Sequence, residues 1–128
     1  PTVPQLAVAA LLESGQYERH LRKVRGDYAL AVSRMSKAVT DMFPDGTRIT
    51  RPEGGFVIWV ELPEDVDSLV LSQLALVQGI SIAPGPIFSA SQKYRNFARL
   101  SCACRWSDQV VRAITTLAQL LAQCKRRT

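Results

Sequence analysis

The stretch NFARLSCA, Asn96 to Ala103, reads as a β-strand with an arginine at its middle. Alternation places Phe97, Arg99 and Ser101 on one side of that strand and Ala98, Leu100 and Cys102 on the other. The second side is apolar and small, as a core-facing side must be. The first carries a full charge. A guanidinium buried without a partner costs about 3 kcal/mol or more, so Arg99 must reach solvent, pair with a carboxylate, or hold an anionic ligand. Glu53 and Glu61 are internal acids available for such a pair.

Upstream, TRIT (Thr47–Thr50) and FVIWVEL (Phe56–Leu62) flank RPEGG, and two β-rich runs around a Pro/Gly connection predict a hairpin. FVIWVEL is almost wholly apolar and is expected as a central strand covered on at least one face. Gly54 and Gly55 at its start permit a bulge or the close approach of a backbone or ligand. ISIA (Ile80–Ala83) is expected as a short strand stopped by PGP. The stretch from Pro84 to Asn96 has no clear period and reads as an exposed loop of a length that often carries function.

Helices fill the rest. QLAVAALLE is apolar and ends near Gly15, a residue suited to a left-handed cap. A longer helix runs from Gln16 or Tyr17 to about Met42, with Leu21, Val24, Tyr28, Ala31, Val32, Met35, Ala38, Val39 and Met42 recurring at three- and four-residue steps. Pro44 to Gly46 makes a turn. Asp65 and Asp67 suit the start of a third helix that finishes at Gly79, and Ser107 or Asp108 caps the last one. This order predicts an α+β two-layer domain over residues 1–128, with helices on one face of a small, mainly antiparallel sheet.

Composition narrows the class. With 47% apolar and 21% charged residues among 128, the chain resembles ordinary globular proteins and not disordered ones. No apolar run approaches the roughly 20 residues of a membrane-spanning helix. The start lacks the basic region of a signal peptide and has no initiator methionine, so the chain is expected to be a piece of a longer protein. Net charge is +5, concentrated in RHLRKVR (Arg19–Arg25) and KRR (Lys125–Arg127). The charge would permit nucleic-acid contact, but a solvated helix face and cations at a helix C-terminus are the readings favoured for the two clusters. Three cysteines make no disulfide framework. Cys102 and Cys104, two apart on a strand, point the same way, but no second Cys pair completes a metal site, and buried thiols are expected.

No nucleophile and base come together in the sequence. His20 falls on the polar side of the long helix, and neither a phosphate-cradling glycine pattern nor a zinc spacing occurs. One candidate site remains: the strand arginine, the glycine pair on an adjacent strand and the long loop. Such a site binds a small carboxylate through a bidentate fork.

Four blocks in this order, YERHLRKVRGDY, RPEGGFVIWVELP, GISIAPGPIFSAS and NFARLSCACRW, resemble the C-terminal small domain of fold-type-I aminotransferases, in the flavour of MocR-type regulators of the GntR superfamily. The resemblance covers nearly the whole chain. It implies a small amino-acid or amine effector or substrate, with Arg99 clamping the α-carboxylate of an amino acid, Pro84, Gly85 and Phe88 shaping the site mouth and Gly54 and Gly55 near the ligand side chain. It implies no catalytic residue here. The Schiff-base lysine, the acid for the pyridine nitrogen and the phosphate cup of pyridoxal 5'-phosphate would precede Pro1, so this chain alone is expected neither to hold that cofactor tightly nor to transaminate. The implied parent is a cytoplasmic homodimer that binds DNA through a separate N-terminal domain. A pyridoxal-phosphate aminotransferase of the 2-aminoadipate type is the alternative parent.

Overall fold

Apolar residues at helical spacing wind Gln16–Met42 into the long helix α2, which follows α1 (Thr2–Glu13) across Gly15 at a φ of 74°. That left-handed backbone is open to glycine at little cost, and it lets the two helices pack side by side. The structure, a computed structural model, describes residues 2–50 and 54–124. After α2 come β1 (Arg48–Ile49), β2 (Val57–Glu61), α3 (Ser68–Val77), β3 (Ala83–Pro84), a 3-10 turn (Gly85–Phe88), β4 (Phe97–Ser101) and α4 (Asp108–Leu121).

The strands form one sheet in the order β1-β2-β4-β3, and every pairing is antiparallel. The expected α+β architecture is present. In β2 and β4 the period of two divides the side chains as the sequence predicts: Ile58, Val60, Ala98 and Leu100 are buried, and Trp59 and Arg99 lie opposite. The buried face packs against Met35, Ala38 and Val39 of α2, Leu71 and Ala75 of α3, and Ile114, Leu117 and Leu121 of α4. Each large aliphatic side chain removed from water there stabilises the fold by about 1.5–3 kcal/mol. No residue of α1 is buried, and its Val3, Leu6, Val8, Leu11 and Leu12 are exposed.

Caps fix the helix ends. Asp67 accepts from the Leu69 backbone N–H at 2.9 Å, and the Ser107 side chain accepts from Val110 N–H at 3.4 Å. Asn96 locks the start of β4 to the end of β2: its Nδ2 donates to the Leu62 carbonyl at 2.7 Å, and its own carbonyl accepts from Leu62 N–H at 2.7 Å.

Three expectations need correction. Ile80 to Ile82 form no strand; the pairing is confined to Ala83 and Pro84, opposite Arg99 and Ala98. Proline is tolerated there because β3 is an edge strand whose outer side needs no ladder donor. The segment after it is not a wholly exposed loop, for Pro84, Gly85 and Pro86 are buried and wind into the 3-10 turn. Cys102 and Cys104 do not share a side: β4 ends at Ser101, leaving Cys102 buried and Cys104 exposed. Arg51 to Glu53 of the expected hairpin connection and the basic tail Lys125 to Arg127 lie outside the described residues.

Candidate functional site

Arg99 is the central residue of β4 and the cross-strand neighbour of Trp59 on one side and Ala83 on the other. Its side chain is exposed on the sheet face that the helices leave uncovered. Among the described residues it makes no ion pair. Glu61, one of the acids available to it, faces Arg48 across the β1–β2 ladder, with Arg48 Nε 3.9 Å from Glu61 Oε2. Glu53, the other, lies outside the described residues. What Arg99 does touch is a ring: its Cζ is 4.8 Å from the centroid of Phe88. A cation over an aromatic face gains about 0.5–1 kcal/mol at an exposed site. The guanidinium is thereby steadied without losing its capacity to donate to an oxyanion.

Phe88 belongs to a larger aromatic group. Trp59 lies edge-on to Phe88 and to Tyr94, each with ring centroids 5.6 Å away, and stacks on Phe97 at 5.4 Å. Tyr94 meets Phe97 at 5.3 Å, also edge-on. Edge-to-face and offset contacts at such distances are the favoured aromatic geometries.

Local backbone conformation sets these rings in place. Gln92 and Tyr94 both adopt positive φ, 54° and 63°, in the segment between the 3-10 turn and β4. Non-glycine residues adopt that region at a cost, which the surrounding contacts must offset. The segment is anchored by Phe97 N–H donating to the Tyr94 carbonyl at 3.0 Å and Ser68 N–H donating to the Arg95 carbonyl at 2.8 Å. The turn and the segment then interlock at Gly85. A Cβ there would run into the Tyr94 carbonyl oxygen and come within 2.8 Å of Tyr94 Cβ and 2.9 Å of the Phe97 carbonyl oxygen.

The structure thus brings Arg99 and Phe88 together. Pro84 and Gly85 are buried behind them, Pro84 on the core side opposite Ala98. Gly54 and Gly55 stand at the open end of the sheet, exposed, four or five residues along β2 from Trp59. At about 3.3 Å per strand residue that is more than 10 Å from the Arg99 row. Sequence reasoning missed Trp59, Tyr94 and Phe97 as neighbours of the site. The signal for Trp59 was present: alternation within VIWVE opposes it to Ile58 and Val60 and so aligns it with Arg99.

The remaining titratable groups do not converge. His20 is exposed on α2 and Asp67 is occupied in capping. Burial, reinforced by Cys104 nearby, pushes the Cys102 thiol up to about 11, and burial beside Asp67 also raises Cys124. No group of three or more metal-ligating side chains forms among the described residues. A cleft of about 440 Å³ lies on the helix side, between the C-terminal ends of α2 and α4, lined by residues such as Met42, Val66, Ala118 and Leu121. Its charged lining is acidic, Asp45 and Asp65, with no cation among the described residues, and it lies on the opposite side of the sheet from Arg99. Among the described residues no helix is long and apolar enough to cross a membrane.

Comparison with known proteins places this geometry. No protein-family model matches the chain. It is 37% identical to the Escherichia coli HTH-type transcriptional regulator YjiR over 90% of its own length, and 32% identical to a Thermus thermophilus 2-aminoadipate transaminase over 94%. Those matches span 24% and 30% of the two relatives, so the chain corresponds to between a quarter and a third of their length. Among solved structures, a Pyrococcus horikoshii kynurenine aminotransferase superposes on 88% of the chain with a TM-score of 0.77 and 30% identity, the chain covering 28% of it. The sheet with its exposed arginine row, the helices behind it and these likenesses agree: the chain belongs to the aminotransferase-like domain family shared by MocR-type HTH regulators and fold-type-I aminotransferases.

Proposed function

We propose that this chain is the small, ligand-clamping domain of an amino-acid- or amine-responsive transcription regulator, and that Arg99 grips the ligand's carboxylate. The observation that carries the reading is an exposed guanidinium at the centre of a rigid sheet, steadied by Phe88 and without an acid partner among the described residues. Two parallel N–H donors fix the plane of a carboxylate as well as its charge, which orients the rest of the ligand. Pro84 and Gly85 hold the turn that carries Phe88, and Gly54 and Gly55 edge the same sheet farther out.

Pyridoxal 5'-phosphate belongs to the whole protein under this reading and would supply the electron-accepting ring to which an amino ligand is joined. The described part of this chain does not fit the cofactor's anchor. Lys23 and Lys37 are exposed on α2 and Lys93 is exposed on the segment before β4, so none occupies an enclosed site beside Arg99. Cofactor anchorage and DNA contact are assigned to parts of a cytoplasmic, dimeric parent upstream of Pro1. Ligand at Arg99 would then bias the arrangement of the two subunits and hence of their DNA-reading heads.

The likeness to a 2-aminoadipate transaminase and a kynurenine aminotransferase favours a second reading, in which the same arginine serves turnover in an enzyme. The coding sequence upstream of Pro1 separates the two. A winged-helix segment ahead of a lysine-bearing domain supports the regulator; the lysine-bearing domain alone supports the enzyme. In either parent Arg99→Gln is expected to weaken amino-acid binding by about tenfold to a hundredfold, the loss of a charged hydrogen-bond pair. Unchanged affinity would refute the clamp.

A further inference from the structure

Four aromatic rings on the open face of a sheet are unusual where ordinary core packing does not require them. Phe88 and Tyr94 are 43% and 45% exposed, so the group is a surface and not an interior. Large apolar surfaces left open on one face mark binding sites. This one is also held by backbone that no simple connection needs: two positive-φ residues that seat Tyr94, and a glycine whose Cβ would collide with the same segment. Strain of that kind persists where the surroundings fix it and clusters at ligand sites.

The charge pattern decides what the surface accepts. Among the described residues Arg99 is the cation in contact with the rings. Lys93 and Arg95 flank Tyr94 in sequence, but both are exposed and Arg95 donates to Gln92 Oε1 at 3.2 Å. A ligand carboxylate at Arg99 therefore leaves the remainder of the ligand against Trp59, Phe88 and Tyr94. A flat apolar side chain gains ring contacts there. A second carboxylate would be stripped of water against ring faces with no fixed donor among the described residues to receive it.

We infer that Trp59, Phe88 and Tyr94 are specificity-determining residues that select an aromatic monocarboxylate, of the phenylalanine class, over an aliphatic dicarboxylate of the 2-aminoadipate class. The inference rests on Arg99 acting as the carboxylate clamp. Phe88 has a double part, steadying the guanidinium and presenting its edge to the ligand ring.

The chain contains two tryptophans, so Trp106→Phe leaves Trp59 as the sole reporter. Its fluorescence is followed in the 128-residue protein while L-phenylalanine, L-2-aminoadipate or phenethylamine is added, exciting where the phenyl ring is transparent. The expected result is saturable quenching by L-phenylalanine at a dissociation constant about tenfold or more below that for L-2-aminoadipate, with no response to phenethylamine. Arg99→Gln should abolish the phenylalanine response. Phe88→Leu should weaken phenylalanine several-fold more than it weakens 2-aminoadipate, since both lose the steadied guanidinium and only phenylalanine loses a ring contact. Equal or tighter binding of 2-aminoadipate, still dependent on Arg99, overturns the aromatic preference and leaves the clamp standing. Binding of phenethylamine as tight as phenylalanine, indifference to Arg99→Gln, or no saturable response to any probe overturns both.

Discussion

Arg99 lies with its guanidinium carbon 4.8 Å from the ring centre of Phe88, a contact that joins the middle of a central strand to a 3-10 turn earlier in the chain. Neither partner needs the other to fold, since both are exposed. A contact of about 0.5–1 kcal/mol is enough to bias a flexible guanidinium toward one rotamer, and too weak to compete with a bidentate carboxylate. The arginine is therefore aimed before a ligand arrives and remains free to bind one.

The aim depends on Gly85. In Gly85→Ala the new methyl would meet two backbone carbonyl oxygens, which cannot swing aside as a side chain would. Urea unfolding is expected to show a loss of about 1–3 kcal/mol, as in other overpacked sites. Near-ultraviolet circular dichroism should show a weakened Trp59 signal, because the Phe88 turn and the Tyr94 segment move apart. A variant with both properties unchanged would contradict the interlock.

Two adjacent residues at the start of α3 should respond in opposite ways. Asp67 caps the helix, and Asp67→Ala is expected to cost about 1 kcal/mol. Ser68 is fully buried and its hydroxyl has no partner among the described residues, while its backbone N–H is already bonded to the Arg95 carbonyl at 2.8 Å. Ser68→Ala removes a polar atom that gains nothing from its surroundings, so its midpoint in urea should stay level or rise. Comparing the two urea midpoints at one pH checks both.

The thiols differ in environment and should differ in reactivity. Cys104 is exposed, whereas Cys102 and Cys124 are buried. Iodoacetamide at mildly alkaline pH should therefore label Cys104 rapidly and the other two only as fast as the fold opens, a pattern readable by mass spectrometry. Cys102 also makes stability depend on pH. Its folded value of about 11 exceeds the ordinary 9.0, because burial disfavours the thiolate. The protonated thiol's contribution is thus fully present below pH 9 and is lost as pH rises from 9 through about 11. Cys102→Ser, whose hydroxyl does not ionise there, should unfold with a flatter dependence over that range.

Much of the fold was legible because its periods are short and its ends are marked. The three- and four-residue stripe of α2, the caps Asp67 and Ser107, and the alternation of FARLS each depend on neighbours in sequence. Reading failed between Ile80 and Asn96. There Pro84 pairs as an edge strand and Gly85 packs against Tyr94 and Phe97, so the conformation answers to partners well outside any local window. The cysteine pair failed for a related reason: alternation holds only while the strand pairing continues, and it carries Cys102, whose N–H still donates to the Phe56 carbonyl at 2.6 Å, but stops before Cys104.

By itself the sequence determined that Arg99 would stand on the polar side of a strand and that its apolar side would face helices, because period-two alternation is a property of the backbone alone. Only tertiary structure decided the company it keeps. Trp59 arrives across a ladder, Phe88 and Tyr94 arrive from the far end of an edge strand, and Glu61 is drawn away to Arg48. Register and loop closure place these side chains, and both are settled by contacts between residues far apart in sequence. An arginine's sequence position gives it a face, and the assembled sheet gives that face its chemistry.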